Sequence, residues 1–180
     1  YIPQFPQIMR RSGVPYAVMT RMGPKDRALF RWKSPDGSTA ITWFSWKGYG
    51  YGSKIGLQRD VTPAQLQALE KDLRDVEGTT DGPILIHWGS DLWAPTEKLI
   101  DSVANLNRAT PNFRFAFTTP KEFFERLPHP EQLVEREGEI PSSWPNIVSS
   151  LPHLWPLVIP ATNTLLTAEK FAAINYALGY

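Results

Sequence analysis

The sequence predicts an α/β fold with mainly parallel strands, and three observations carry that expectation. Short apolar runs alternate with amphipathic stretches at helical spacing. Two of the helices open on a Thr-Pro capping signal, and glycine and proline mark the turns between elements. At 180 residues the chain can bury one sizeable core. Its 19 basic and 18 acidic residues are well mixed and leave a net charge of +1, which argues against an electrostatic nucleic-acid footprint. No apolar run approaches the roughly 20 residues that a membrane helix needs. There is no cysteine, so disulfides and thiolate metal sites are excluded, while the redox compartment stays open.

Taken in order, residues 4–12 suit a helix that stops at Gly13. "VPYAVMT" (14–20) reads as a short buried strand. "LFRWKSPDGSTAITWFSW" reads as two strands around a turn, with Pro35 and Gly37 where a turn wants them. "KGYGYGSKIG" (47–56) is a glycine-rich aromatic loop; it lacks the Lys-Ser/Thr of a phosphate loop at the right offset. Thr62, Pro63 and Gln65 open a helix whose apolar stripe is Leu66, Leu69, Leu73 and Val76. Pro83 to Trp88 reads as a buried strand, and Leu99, Ile100, Val103 and Leu106 mark a second helix, over about 95 to 109. "FRFAFT" (113–118) reads as a strand, and Thr119-Pro120-Lys121-Glu122 starts a helix through Phe123, Phe124 and Leu127. The expectation is a single sheet holding the strands at 14–20, 83–88 and 113–118, with helices outside.

From Pro128 to Pro160 prolines recur and periodicity disappears, as in a connector over 129–160 anchored by Trp144 and Trp155. A helix with Leu165, Ala168, Phe171, Ala172, Asn175 and Leu178 at helical spacing follows over 161–180 and reads as the first element of a helical domain. The chain opens on "YIPQFPQIMRR" and stops in or just after that helix, so a piece of a longer protein is expected.

In α/β folds ligands bind beyond the carboxyl ends of the strands, and Asp91 follows the 83–88 strand at that place. One reading of Asp91 is a cap or first-turn acid for the helix around 95 to 109. The other is a general acid or base, since neighbouring Trp88 and Trp93 can exclude water and stack on sugar rings. Each tryptophan also reads as a packing residue. Trp43, Phe44, Trp46, Tyr49 and Tyr51 form either a hydrophobic hairpin end or a saccharide platform. His87, His129 and His153 show no metal-ligand spacing, and His87 reads as a core histidine.

These motifs resemble the family 38 glycoside hydrolases, the α-mannosidases. "PQFPQIMRRSGVPYAVMTRM" is similar to the stretch just after that family's nucleophile strand, and "FRWKSPDGSTAI" to its Phe-x-Trp…Asp-Gly-Ser segment. "HWGSDLWAPTEKLIDSVANLN" is similar to its strand end with the following helix, and "FTTPKEFFERL" to its Thr-Pro segment. The order and spacing agree over residues 1–127. "GEIPSSWPN…ATNTLLTAEKF" is similar, more weakly, to the passage from barrel to helical domain.

The resemblance implies part of a seven-stranded β/α barrel over 1–128, the 129–160 connector, and the start of a helical bundle domain. It implies a retaining α-mannosidase acting on mannose-containing glycans, with Asp91 as acid/base; the aromatic residues Trp93, Trp88 and Tyr51 are the candidate substrate-binding residues by their stacking faces. It also implies a catalytic zinc in the complete enzyme, with ligands mostly outside this chain. The zinc motif and the nucleophilic aspartate would lie before Tyr1, and the loop at 21–30 is shorter than usual for the family. No nucleic acid or membrane partner is expected; the rest of the enzyme or a second copy is. Two other readings stay open: a non-catalytic carbohydrate-binding or structural module on the same barrel, and a related barrel with different chemistry, such as polysaccharide deacetylation.

Overall fold

The structure, a computed structural model, describes residues 1–21, 23–56, 61–80, 82–141 and 152–179. It divides into two compact units, Tyr1–Ser142 and Ser143–Tyr180. The first unit is a four-stranded mixed sheet with helices. Its strands are β1 (Tyr16–Met19), β2 (Leu29–Lys33), β3 (Thr39–Phe44) and β4 (Glu135–Glu137), in the order β1-β3-β2-β4.

The turn read at Ser34 to Gly37 makes β2 and β3 an antiparallel hairpin, with Leu29 opposite Trp43 and Lys33 opposite Thr39. Gly37 takes φ +84°, and the Asp36 carboxylate accepts from the Ser38 amide at 3.0 Å. β1 runs parallel to β3, and β4 runs parallel to β2. Both sheet faces are covered. Leu29 and Trp43 pack with Val76, Phe123, Phe124 and Leu127, while Met19, Phe30, Trp32 and Phe44 pack with Ile140.

The helices of this unit are α1 (Phe5–Arg11), the single turn α2 (Tyr51–Lys54), α3 (Pro63–Glu77), α4 (Lys98–Ala109) and α5 (Pro120–Glu125). Both predicted capping boxes form, Thr62 with Gln65 and Thr119 with Glu122. Leu69, Leu73 and Val76 are buried from α3 and Leu106 from α4, which follows the apolar stripes read in the sequence.

Two expectations are corrected. Residues 83–88 and 113–118 form no regular element and join no ladder among the described residues, so the sheet contains neither. An apolar run reports burial, and burial is what Leu85 achieves against the Trp43 cluster. A ladder needs a second backbone about 4.8 Å away. Here a groove of about 770 Å³ is lined by both stretches together with Leu73, Val103 and Leu106. The sheet is also mixed, because the hairpin places two antiparallel strands at its centre.

The stretch expected as a connector over 129–160 divides differently. Glu135–Glu137 is β4, whose short ladder with β2 carries Arg31–Glu135 and Lys33–Glu137 ion pairs at 3.6 and 2.8 Å. The helix expected from 161 begins at Trp155, and it forms α6 (Trp155–Leu178) in the second unit. Pro156 sits in its first turn, where the missing N–H costs nothing, and Pro160 lies inside it. Trp144 and the side chain of Trp155 lie outside the described residues.

Candidate functional site

The candidate site forms where residues 45–54, which follow β3, meet residues 87–91. Glycine is required at this contact. The Gly52 N–H donates to the His87 carbonyl at 2.9 Å, and a Cβ on Gly52 would stand 2.8 Å from that oxygen and 3.1 Å from Trp88 Cα. The Gly89 N–H donates to Ser53 Oγ at 3.2 Å. The loop read as glycine-rich and aromatic is therefore a backbone clamp on the segment that carries Asp91.

The other side of the loop is tied to α3. Tyr51 Oη donates to Asp72 Oδ2 at 2.8 Å, and Lys47 Nζ donates to Asp72 Oδ1 at 2.9 Å. Burial alone would raise the Asp72 carboxyl. The hydrogen bonds from Lys47 and Tyr51, with the charges of Lys47 and Lys71, instead hold it below the ordinary carboxylate value. Burial, then the Asp72 hydrogen bond and charge, push the Tyr51 phenol far up, so it stays neutral. Tyr51 is 5% exposed and packs against Trp46 at 5.4 Å between ring centroids. Its hydroxyl is committed to Asp72.

Asp91 is exposed, in a turn closed by the Trp93 N–H donating to the Ser90 carbonyl at 3.3 Å. Leu92 holds φ +63°, an uncommon conformation for a branched residue, and its side chain stands fully in solvent. Trp93 is 46% exposed. Tyr49 Oη donates to Asp91 Oδ2 at 2.9 Å, and Arg21 Nη2 donates to Tyr49 Oη at 3.2 Å. The Arg21 guanidinium also lies 5.5 Å from the Tyr49 ring centroid. The hydrogen bond to Asp91, then burial and the Asp91 charge, raise the Tyr49 phenol above its ordinary value, with Arg21 opposing.

The start of α4 speaks against the cap reading of Asp91. The residue before α4 is Glu97, which makes no side-chain cap, and the first-turn acid of α4 is Asp101. Asp91 is neither. A carboxylate held at a turn by a phenol, beside exposed Leu92 and Trp93, can exchange a proton with a ligand or hydrogen-bond a sugar hydroxyl.

The other residues singled out in the sequence fall as follows. Trp88 is half-buried against the cluster of Tyr51, Leu69, Leu73 and Leu106, and its indole N–H is enclosed without a partner. His87 is half-buried with Nδ1 2.7 Å from Ser45 Oγ. Burial lowers the His87 pKa, which favours the neutral ring. His129 pairs with Glu131 at 3.3 Å. No three His, Asp or Glu side chains converge on a metal position among the described residues, so the residues here do not fit the zinc that the resemblance implies.

The sequence does not mark Tyr49 as the partner of Asp91, which it reaches across 42 positions, nor Arg21 as the partner of Tyr49. Tyr49 was visible only as a member of the aromatic cluster. Arg21 gave no signal beyond its place at the end of β1.

Residues 1–141 match the family described as the N-terminal domain of the glycosyl hydrolases of family 38. No curated protein matches the chain. Among solved structures, an alpha-mannosidase from Enterococcus faecalis V583 superposes with a TM-score of 0.61 at 22% identity, covering 77% of this chain and 16% of that one. A protein in the glycosyl hydrolase family 38 from Enterococcus faecalis superposes with a TM-score of 0.52 at 19% identity, covering 77% of this chain and 14% of that one. At such identities the superpositions speak for the fold alone, and the chain spans about a sixth of the first neighbour's length. The match over residues 1–141 reaches across the whole first unit, from α1 to the end of β4, and by it the chain belongs to glycoside hydrolase family 38.

Proposed function

We propose that this chain is the part of an α-mannosidase catalytic domain that presents the acid/base carboxylate, and that Asp91 is that carboxylate. The observation that carries the reading is the setting of Asp91. It stands in solvent at the end of the 83–88 stretch, its Oδ2 accepts from Tyr49, and Leu92 and Trp93 lie exposed beside it. Exposed apolar and aromatic faces are what a sugar ring stacks on, so Trp93 is the foremost candidate for substrate contact. Trp88 and Tyr51, both packed inward, support the floor beneath.

In a complete β/α barrel, Asp91 would stand on the face where the carboxyl ends of the strands lie and where such folds bind ligands. Retaining hydrolysis pairs such an acid with a second carboxylate about 5 Å away that attacks the anomeric carbon. Asp91 then protonates the departing oxygen and afterwards takes a proton from the water that releases the sugar.

The test is Asp91→Asn in the full-length enzyme, assayed on mannosides of graded leaving-group acidity. A good leaving group departs without protonation. Turnover of poor leaving groups should therefore fall by roughly 100-fold or more, and of activated aryl mannosides far less. Equal losses on all substrates would remove the acid role and favour a binding module.

A further inference from the structure

We propose that Tyr49 is the positioning residue for the Asp91 carboxyl, with Arg21 fixing the direction in which the Tyr49 hydroxyl donates. The proposal rests on the acid/base reading of Asp91 and adds to it a residue that sets which oxygen carries the proton. Tyr49 is the single side chain that holds Asp91 among the described residues, at 2.9 Å from Oδ2. Asp91 lies on an exposed turn next to Leu92 in the left-handed region, so little else restrains the carboxyl.

A phenol has one proton and can donate once. Arg21 has donors and no acceptor, so where it meets Tyr49 Oη, at 3.2 Å, the tyrosine oxygen must accept. The tyrosine proton is then left for Asp91. Oδ2, occupied as an acceptor, is the poorer of the two oxygens to carry the acid proton, and the proton of the neutral acid is favoured on Oδ1.

The chemistry balances without a further reactant beyond the carboxylate nucleophile of the complete enzyme. The nucleophile forms its bond to the anomeric carbon as the glycosidic C–O bond breaks. That bond's electron pair goes to the departing oxygen, which takes the proton from Oδ1. Asp91 becomes a carboxylate in the same step. The Tyr49 hydrogen bond then meets a charged acceptor and strengthens, since bonds to ionised groups are about twice as strong as neutral ones. An interaction that grows along the reaction lowers the barrier, and it matters only where Asp91 delivers a proton.

The experiment compares Tyr49→Phe, Asp91→Asn and the double variant in the full-length enzyme, reading kcat/KM across aryl and alkyl mannosides of graded leaving-group acidity. Tyr49→Phe should lose roughly tenfold or more on the poorest leaving group and little on the most activated. In the Asp91→Asn background it should add nothing to the leaving-group dependence. A merely structural role for Tyr49 would lower all substrates alike. A uniform loss or no loss for Tyr49→Phe, alongside a steep dependence for Asp91→Asn, overturns the positioning role and spares the acid. A flat response for Asp91→Asn overturns both.

Discussion

The half-buried His87 ring lies under the loop that follows β3, with Nδ1 2.7 Å from Ser45 Oγ. Burial holds its pKa below the ordinary 6.5, because desolvation penalises the imidazolium. Above about pH 6.5 the ring is neutral in folded and unfolded chains alike, and stability is intact. As pH falls below that value the unfolded chain takes up a proton that the folded ring refuses until its own, lower pKa. Stability is therefore lost with falling pH through that window. The melting temperature of the native chain should drop more between about pH 7 and 5 than that of His87→Gln. Parallel curves for the two proteins would show that the ring does not titrate against a folded-state penalty. At this scale Asp91 was legible, because a lone acid after an apolar run stands out in one stretch of sequence. Its partners were not: a hydrogen bond across 42 positions leaves no local mark, and neither does the positive φ of Leu92.

Between elements, the contact of residues 45–54 with 87–90 ties the loop after the hairpin to the segment that carries Asp91. The Tyr51 and Lys47 bonds to Asp72 fasten the same loop to α3. Gly52 is the point where the two backbones come closest. Gly52→Ala would set a methyl group 2.8 Å from the His87 carbonyl oxygen and 3.2 Å from Trp88 Cβ, and backbone cannot swing away as a long side chain can. We expect a loss of about 1–3 kcal/mol in chemical denaturation, the range of an overpacked core. A Gly52→Ala protein as stable as the native one would mean that the clamp yields freely and positions nothing. Elements with local signals were readable: both capping boxes, the Pro35–Gly37 turn and the α3 stripe depend on residues two to four apart. Residues 83–88 and 113–118 were misread as sheet strands. Their apolar side chains do cover α3 and α4, but pairing is a property of two segments and no single-segment pattern encodes it. β4 escaped notice for a related reason, since three charged residues with outward carboxylates carry no apolar alternation.

Across the whole molecule, the family and the order of helices were written in motifs spread over 1–127, while the sheet's connectivity was not. The second unit adds a helix on which Ile159, Leu165 and Phe171 are each more than 60% exposed. A helix with apolar residues on several sides is normally enclosed by others. The metal question also belongs to this scale, because a catalytic zinc needs about three ligands that separate elements bring to one point. The two histidines of the first unit have different partners. His87 is bound to Ser45 beneath the loop after β3, His129 sits by Glu131 before β4, and His153 lies in the second unit. Asp91, the best-exposed acid of the candidate site, has a phenol and no histidine as its neighbour. No cluster of three candidate ligands exists among the described residues. The 180-residue chain, titrated with zinc in a calorimeter, should show no stoichiometric submicromolar site. A tight one-to-one site would require these side chains to converge, and it would contradict the arrangement described above.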